Sequence, residues 1–319
     1  MTSRPTALVA TAAAAAFALA ACSSGTTAAD GPVSGNVTMV VPFSAGGGSD
    51  ASGRAIASGL EGVTGLTITT ENREGGSGAV GYSYFLGEEG NPNVLLAAET
   101  SLISIPLSQD VEFESTSFTP IMKLGDDYTL MVVPADSPYE TCTDVIEAAE
   151  DGRVVAAVSG AVSLDEVVFS LVEEDQGVEF DRVPFESGAE VIAGVLGGQV
   201  DIASLNPGEV VGQLESGDMR ALCAFSEERY EYEAIADVPT ATEQGIDVAF
   251  AQFRGFIAPG GLTEEQTQFW IDAAEEFAET EAYDEYIEAN LMQPNVLYGE
   301  EFAEYVAGNE ADLETALGQ

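Results

Sequence analysis

The segments best suited to binding a ligand are glycine-rich turns that lie between a β-type run and a helical pattern. The first turn, PFSAGGGSD at 42–50, follows an apolar run and precedes a helical stretch that contains Arg54. Its three glycines permit a tight turn and close approach of a ligand to the backbone, and the free N–H groups of the helix start point toward that ligand. Such a terminus binds an anion without needing a lysine.

A second turn, ENREGGSGAVG at 71–81, has the same placement. Its glycines match the pattern GxGxxG, and Glu99 follows the next strand at roughly the spacing of a ribose-binding acid, so a dinucleotide site is one alternative. The turn belongs to the second βα unit and not to the first, which argues against that site. A third turn, SGAVS at 159–163, also separates a strand from a helical run. Simple chain reversal would explain each turn alone, but three at strand ends favour a ligand site.

Catalysis by the commonest side-chain sets is excluded by composition. The sequence contains no histidine, which removes the central member of Ser-His-Asp and Cys-His triads and of His-ligated zinc sites. Acids are so abundant that any two will look paired somewhere, so none is assigned a catalytic role. We therefore predict a protein that is not an enzyme and that needs no metal and no cofactor.

Short β-type runs alternate with helical patterns from residue 36 onward, which predicts βα units around largely parallel sheets. Nine strands suit two sheets better than one. We predict them at 37–42, 66–71, 93–98, 129–133, 153–158, 181–184, 199–204, 219–224 and 248–254. Helices at about 263–279 and 300–316 carry apolar residues at helical spacing and are predicted to be packing elements.

The N-terminal residues have the pattern of a secretory lipoprotein signal. Arg4 precedes an apolar run at 7–19 that ends in Leu-Ala-Ala-Cys at 19–22, and the run is too short to span a bilayer stably. We predict that residues 1–21 are a signal peptide and that Cys22 carries lipid. Residues 22–36 are rich in Ser, Thr, Gly and Ala and are predicted to be a flexible tether. An ordinary cleaved signal is the alternative.

Two cysteines remain once Cys22 is assigned to lipid. An exported protein permits a disulfide between Cys142 and Cys223. Two buried free thiols, which behave as small apolar side chains, are the alternative.

Several motifs in one order give the chain a resemblance to the substrate-binding protein family of tripartite tricarboxylate transporters. The resemblance runs from about residue 37 to 317 and is carried by VPFSAGGGSDASGR at 41–54, ENREGGSGAVG at 71–81, VPFESGAEVIAGVLGGQVD at 183–201, and the run MRALCAFSEER, DVPTATEQGIDV and FRGFIAPGG within 219–261. It implies an α/β fold of the type II periplasmic-binding-protein class, with two α/β lobes, a ligand cleft between them, and a chain that crosses between the lobes twice. We accordingly expect one lobe at 36–131 plus 252–319 and the other at 132–251.

The resemblance also implies a small carboxylate ligand, a di- or tricarboxylate or an amino acid, held largely by main-chain groups, hydroxyls and water. Carried over to this sequence, the expected ligand-binding residues are Phe43, Ser44, Ala45, Gly46, Gly47, Asp50, Ser77, Gly78, Ser163, Phe185, Gly188 and Asn206. Glu166 stands where the family pattern leads us to expect histidine. An ionised acid there would repel a second carboxylate and would favour a ligand that bears an amine.

The resemblance thus implies a receptor that captures a small carboxylate and delivers it to membrane permease subunits. It would lie outside the cytoplasm, held on the outer face of the membrane only by the lipid on Cys22. Sensing for a signalling receptor is an alternative that the sequence does not separate from transport. A cleft enzyme acting on a carboxylate is a further alternative, which the lack of a nucleophile and base pair disfavours.

The charge balance is extreme, with 55 acids against 9 bases and a formal net charge of −46. Nucleic acid and anionic membrane surfaces are therefore excluded as partners. The acids are spread along helical faces, as in 263–281 and 299–314, and so form a solvated acidic shell that repels itself.

Salt should stabilise this chain, because the Debye length falls to about 3 Å at 1 M salt and the acids then no longer repel one another at long range. We expect the melting temperature to rise between low and molar salt in a thermal-unfolding experiment, as in proteins from saline habitats. A melting temperature that did not change with salt would contradict this prediction.

Overall fold

The computed structural model describes residues 31–158, 163–185 and 187–316. Within these residues the chain forms eleven strands and ten α-helices. The strands are β1 (Asn36–Val41), β2 (Thr67–Asn72), β3 (Val94–Glu99), β4 (Phe118–Tyr128), β5 (Leu130–Pro134), β6 (Val155–Val158), β7 (Asp181–Pro184), β8 (Ile202–Leu205), β9 (Met219–Ala224), β10 (Ala251–Pro259) and β11 (Gln293–Tyr298). The helices are α1 (Gly48–Thr64), α2 (Ala79–Leu86), α3 (Ser101–Ser108), α4 (Cys142–Asp151), α5 (Leu164–Gln176), α6 (Gly188–Leu196), α7 (Pro207–Ser216), α8 (Glu264–Ala278), α9 (Glu281–Ala289) and α10 (Gly299–Ala316).

The strands form two separate sheets, as predicted. The first sheet has the order β11-β4-β10-β3-β1-β2, in which β1 is parallel to both β2 and β3 while β10 is antiparallel to β3 and β4. The second sheet has the order β7-β6-β8-β5-β9, in which β6 is parallel to β7 and β8 while β5 is antiparallel to β8 and β9. Two mixed α/β sheets in one chain confirm the predicted fold class.

The chain crosses from the first sheet to the second at Thr129. This residue alone separates the end of β4 from the start of β5, and the return crossing lies between β9 and β10. Since β5 begins at Leu130 and pairs in the second sheet, we propose that the lobe boundary lies at Thr129, slightly earlier than the predicted 131. The rest of the predicted division, 132–251 for one lobe and 252–319 returning to the other, we keep as a proposal.

All nine predicted strands are present, but β4 and β11 were not predicted. The sequence of β4 contains Pro120, Gly125 and two consecutive acids, residues that are depleted in strands. The strand β11 contains Pro294 and lies at the edge of its sheet, where proline is tolerated because one side of the strand needs no partner. Tertiary pairing outweighs local propensity in both strands.

The two predicted C-terminal helices pack as expected. Trp270 and Phe277 of α8 are fully buried and belong to a cluster with Met39, Ile56 and Phe256, between the first sheet and its covering helices. In α10, Phe302 is also fully buried and stacks edge-on against Phe253 at 5.4 Å between ring centroids. No helix among the described residues is both long and apolar enough to cross a bilayer.

A disulfide joins Cys142, at the start of α4, to Cys223 in β9. Their Cα atoms are 5.9 Å apart, and both residues are fully buried. Of the two alternatives that the sequence left open, the structure therefore has the bonded pair. The predicted signal peptide and Cys22 lie outside the described residues.

Candidate functional site

A cavity of about 810 Å³ lies between the two lobes and is lined by both. The first lobe contributes the loops that follow β1 and β2 and the carboxyl end of β3. The second lobe contributes the segments that follow β6, β7 and β8. This is the edge at which open α/β sheets bind ligands, because the loops at the carboxyl ends of the strands leave a crevice there.

Six helices in the described part of the chain begin at this cavity. Each provides its N-cap residue or a residue of its first turn to the lining. These residues are Gly48 and Ser49 of α1, Gly78 of α2, Thr100 and Ser101 of α3, Ser163 and Leu164 of α5, Gly188 of α6, and Asn206 of α7. The first N–H groups of a helix lack partners within the helix, and the helix dipole places partial positive charge at that end. The cavity wall is therefore a set of positive poles that suits a carboxylate.

Eight of the predicted site residues line the cavity together. They are Phe43, Ser44, Ser77, Gly78, Ser163, Phe185, Gly188 and Asn206. Gly78 has a φ of 103°, and a Cβ added there would lie 3.1 Å from the ring of Phe43, so the two glycine-rich loops meet at this point. The binding of a ligand by these eight residues stays a prediction.

The first loop differs in detail from the prediction, because Ala45, Gly46, Gly47 and Asp50 lie outside the lining. Asp50 faces into its own loop, where it accepts a hydrogen bond from the Gly46 N–H at 2.9 Å and is also bonded to Arg54 and Asn72. The hydrogen bond from Arg54 is the main cause that lowers the pKa of Asp50 to about 2; those from Gly46 and Asn72 add to it. Asp50 therefore braces the loop.

With the Gly46 amide occupied, the amides available to a ligand belong to the next residues of the loop. Gly48 and Ser49 line the cavity as the first residues of α1, and no side chain caps this helix through Gly47. The positive pole expected at 46–47 is thus displaced by two residues along the chain.

Glu166 also lies outside the lining, although it was predicted to face the ligand. Its carboxylate forms an ion pair with Arg182 at 3.0 Å, and Arg182 pairs in addition with Glu173 at 2.9 Å. The charge of Glu166 is therefore largely compensated within the second lobe. The expected repulsion between Glu166 and a ligand carboxylate loses its basis.

Sequence reasoning missed the one cationic side chain among the described residues of the cavity lining, Arg254 in β10. Its guanidinium donates through Nη1 to Glu99 Oε2 at 2.5 Å and through Nε and Nη2 to Asp127 Oδ2 at 3.2 and 3.1 Å. Ser49 lies 3.4 Å from Nη1 and also donates its hydroxyl to Glu99. One buried arginine thus ties the start of α1 to three neighbouring strands of the first sheet.

The ionisation of this cluster follows from burial and charge together. Burial is the largest influence on Arg254 and would lower its pKa, but Glu99 and Asp127 outweigh it and raise the pKa above the ordinary value. Burial raises the pKa of Asp127, and the attraction of Arg254 opposes that shift. When the amide of Gln252 is oriented with its oxygen toward the guanidinium, that oxygen also accepts from Nη1 at 3.1 Å and Nη2 at 2.7 Å. The donors of Arg254 are therefore used by the protein itself.

A signal for Arg254 was present in the sequence. It lies in the run FRGFIAPGG, between apolar residues of a strand, in a chain that has 9 bases in all. A basic residue within a buried strand needs a buried counter-charge, but nothing in the sequence identifies Glu99 and Asp127 as its partners.

Hydroxyl groups complete the lining. Thr129, at the crossing between the lobes, accepts a hydrogen bond from Ser204 at 2.7 Å, and both line the cavity. Asn206 donates its side-chain amide to the backbone oxygens of Asp127 and Tyr128 at 3.3 Å, which anchors the start of α7 to the same crossing. Across the described ranges 31–158, 163–185 and 187–316, no three Cys, Asp or Glu residues are grouped so that they could hold a metal ion.

Replacing Arg254 with Gln should lower the free energy of unfolding by about 3–5 kcal/mol, because it leaves two buried carboxylates without their cation. The control is R153Q, which breaks the exposed ion pair between Arg153 and Asp181 and should cost far less, because solvent screens such a pair. Urea unfolding of both variants at one fixed high salt concentration measures the difference. Equal costs for the two substitutions would show that the Arg254 cluster is not a buried ion pair.

Comparison with known proteins identifies the fold and the family. A family described as "Tripartite tricarboxylate transporter family receptor" matches residues 53–315. A Cupriavidus necator relative, "UPF0065 protein in gbd 5'region", is 24% identical over 274 residues, which cover 85% of this chain and 83% of the relative.

Two solved structures agree with this match. A TctC solute-binding protein from Polaromonas, solved without ligand, has a TM-score of 0.75 at 25% identity and covers 89% of this chain and 98% of its own. An R. palustris protein, Rpa4515, solved with adipate, has a TM-score of 0.79 at 22% identity and covers 89% of this chain and 97% of its own. The matched family is one of receptors and the Polaromonas protein is a solute-binding protein, which confirms the prediction of a receptor and not an enzyme. The chain belongs to the tripartite tricarboxylate transporter receptor family.

Proposed function

We propose that this protein captures a small carboxylate outside the cytoplasm and delivers it to the membrane subunits of a tripartite tricarboxylate-type permease. The observation that carries the proposal is the convergence of six helix beginnings on one cavity between two lobes. Adipate, bound by the neighbour from R. palustris, is a dicarboxylate. A ligand of that class needs hydrogen-bond donors at its charged ends, and the amides and hydroxyls of this cavity supply them.

Capture in this way needs no free cationic side chain of the protein. The guanidinium of Arg254 is engaged by Glu99 and Asp127, so backbone amides and the hydroxyls of Thr100, Ser101 and Ser104 are left to hold the carboxylate. Closure of the lobes would exclude water, strengthen these contacts and create the surface that the permease recognises.

A panel of small mono-, di- and tricarboxylates and amino acids, tested in molar salt, examines the proposal directly. A ligand that binds the native state at 100 times its Kd stabilises it by about 2.7 kcal/mol, so at least one member should raise the melting temperature. Calorimetry then gives its Kd.

The matched variants S77D and S77N locate the binding site in the cavity. Ser77 lines the cavity with a φ of 56°, a conformation that both Asp and Asn tolerate. The two side chains have the same size, but Asp adds a negative charge, so S77D should bind a carboxylate about tenfold or more weakly than S77N. Equal affinities would place the ligand elsewhere, and a panel without any stabilising member would refute the function.

We also propose that the receptor is held on the outer face of the membrane by lipid on Cys22. The supporting observation is the sequence Leu-Ala-Ala-Cys after an apolar run. The substitution C22A should abolish labelling by a radioactive fatty acid and move the protein from the membrane fraction to the soluble fraction. The neighbouring substitution S23A is the control and should leave both unchanged. Retention of C22A in the membrane fraction would contradict the anchor.

A further inference from the structure

We propose that the captured carboxylate also bears an ammonium group, and that Glu209 is the residue that selects it. The inference rests on the proposed function, since it concerns the ligand of the same cavity. It follows from the charges that line the cavity, which are Glu74, Glu99, Asp165, Glu209 and Arg254.

The one cationic side chain of this lining does not compensate Glu209. Arg254 binds Glu99 and Asp127 directly, and these two carboxylates together outweigh its single charge. Glu74 accepts a hydrogen bond from the hydroxyl of Ser44. Glu209, in contrast, makes no side-chain hydrogen bond and no ion pair with any residue that the structure describes, although its side chain is accessible.

The position of Glu209 is built into the second lobe. It lies in the first turn of α7, where an acid is favoured by the helix dipole, yet its carboxylate does not turn back to cap that helix. It lies against Gly188 of α6 instead, where an added Cβ would be 2.8 Å from Oε2 and 3.0 Å from Oε1. A side chain at position 188 would displace the carboxylate, so the glycine leaves room for it at the cavity wall.

Glu209 is partly enclosed by protein atoms, although its side chain is accessible from the cavity. This burial is the main cause that raises its pKa; Arg254 opposes the shift, and the charges of Asp127 and Asp165 add to it. The ionised form of Glu209 therefore feels the attraction of Arg254 but forms no ion pair with any described residue. A ligand ammonium would supply one, whereas a second ligand carboxylate would add another repulsion.

The two ends of the ligand thus face different chemistry. In the first lobe, the backbone amides of Ser49 and Ser101 and the hydroxyls of Ser101 and Ser104 suit the carboxylate. Glu209 in the second lobe suits the ammonium. A zwitterionic amino acid or a related amino carboxylate would then contact both lobes and stabilise their closed arrangement.

The test compares pairs of probes that differ only by an amino group: propionate with alanine, succinate with aspartate, and glutarate with glutamate. Calorimetry is performed on the wild type and on E209Q in molar salt with a chelator present. The control variant is E215Q, which removes an exposed acid from the far end of the same helix. Both substitutions remove one negative charge, so an effect of the protein's net charge on ligand affinity should appear in both variants.

In the wild type and in E215Q, the aminated member of at least one pair should bind at least tenfold more tightly than its partner. In E209Q this preference should fall by tenfold or more, through weaker binding of the aminated probe and unchanged or tighter binding of the other. Preference of the wild type for the unaminated probe, or an unchanged ratio in E209Q, overturns the inference while leaving the proposed function intact.

Two further outcomes have separate meanings. If neither member of any pair binds, and the wider carboxylate panel also fails, the proposed function falls and this inference falls with it. If the unaminated probe binds as tightly as the aminated one once the chelator is replaced by Mg²⁺ or Ca²⁺, the partner of Glu209 is a metal ion, and the ammonium inference is overturned.

Discussion

The structure depends on fixed backbone dipoles that offer an anion a positive surface inside a strongly negative molecule. With a net charge of −46, the long-range field of the chain repels any carboxylate that approaches. Six helix beginnings act at contact distance within the cavity, and they cost no reorganisation because the helices hold them in place. Salt weakens the long-range repulsion far more than the short-range contacts inside the cavity. The acidic surface and the proposed anion site can therefore coexist in salt.

The buried cluster around Arg254 fixes the geometry of this surface. A guanidinium offers five donors in a planar fork, so it can bind carboxylates of two strands and a hydroxyl of α1 together. Arg254, Glu99 and Asp127 belong to the adjacent strands β10, β3 and β4, and Asp127 lies two residues before the crossing at Thr129. The cluster thus couples the first loop to the point where the lobes join. Its cost is that the strongest cation of the site is not available to the ligand.

The alternation of strands and helices was readable from the sequence because apolar spacing reports which face of an element is buried. The prediction failed at β4, where Lys123, Asp126 and Asp127 are buried in a strand that propensity alone would not predict. The glycine-rich loops were also readable, because their composition limits what they can do. The side-chain partners around the site could not be predicted in the same way. Asp50 is hydrogen-bonded to Asn72 in the first loop, and Glu166 of α5 forms an ion pair with Arg182. Such partners are chosen by tertiary proximity, which local patterns do not record.

The same limit explains why the sequence suggested an amine-bearing ligand for a reason that the structure does not support. An acid at position 166 was expected to face the ligand, but Arg182 compensates it outside the cavity. Glu209 is an acid of the cavity lining that has no side-chain hydrogen bond or ion pair with any described residue. The sequence does not distinguish it from the other acids, because it lies in an ordinary helical pattern in a chain with 55 of them. What distinguishes it is a glycine on a neighbouring helix and a cavity on its open side. In a chain with 55 acids, a carboxylate is therefore informative only when the fold places it at a specific position, here the wall of a cavity between two lobes.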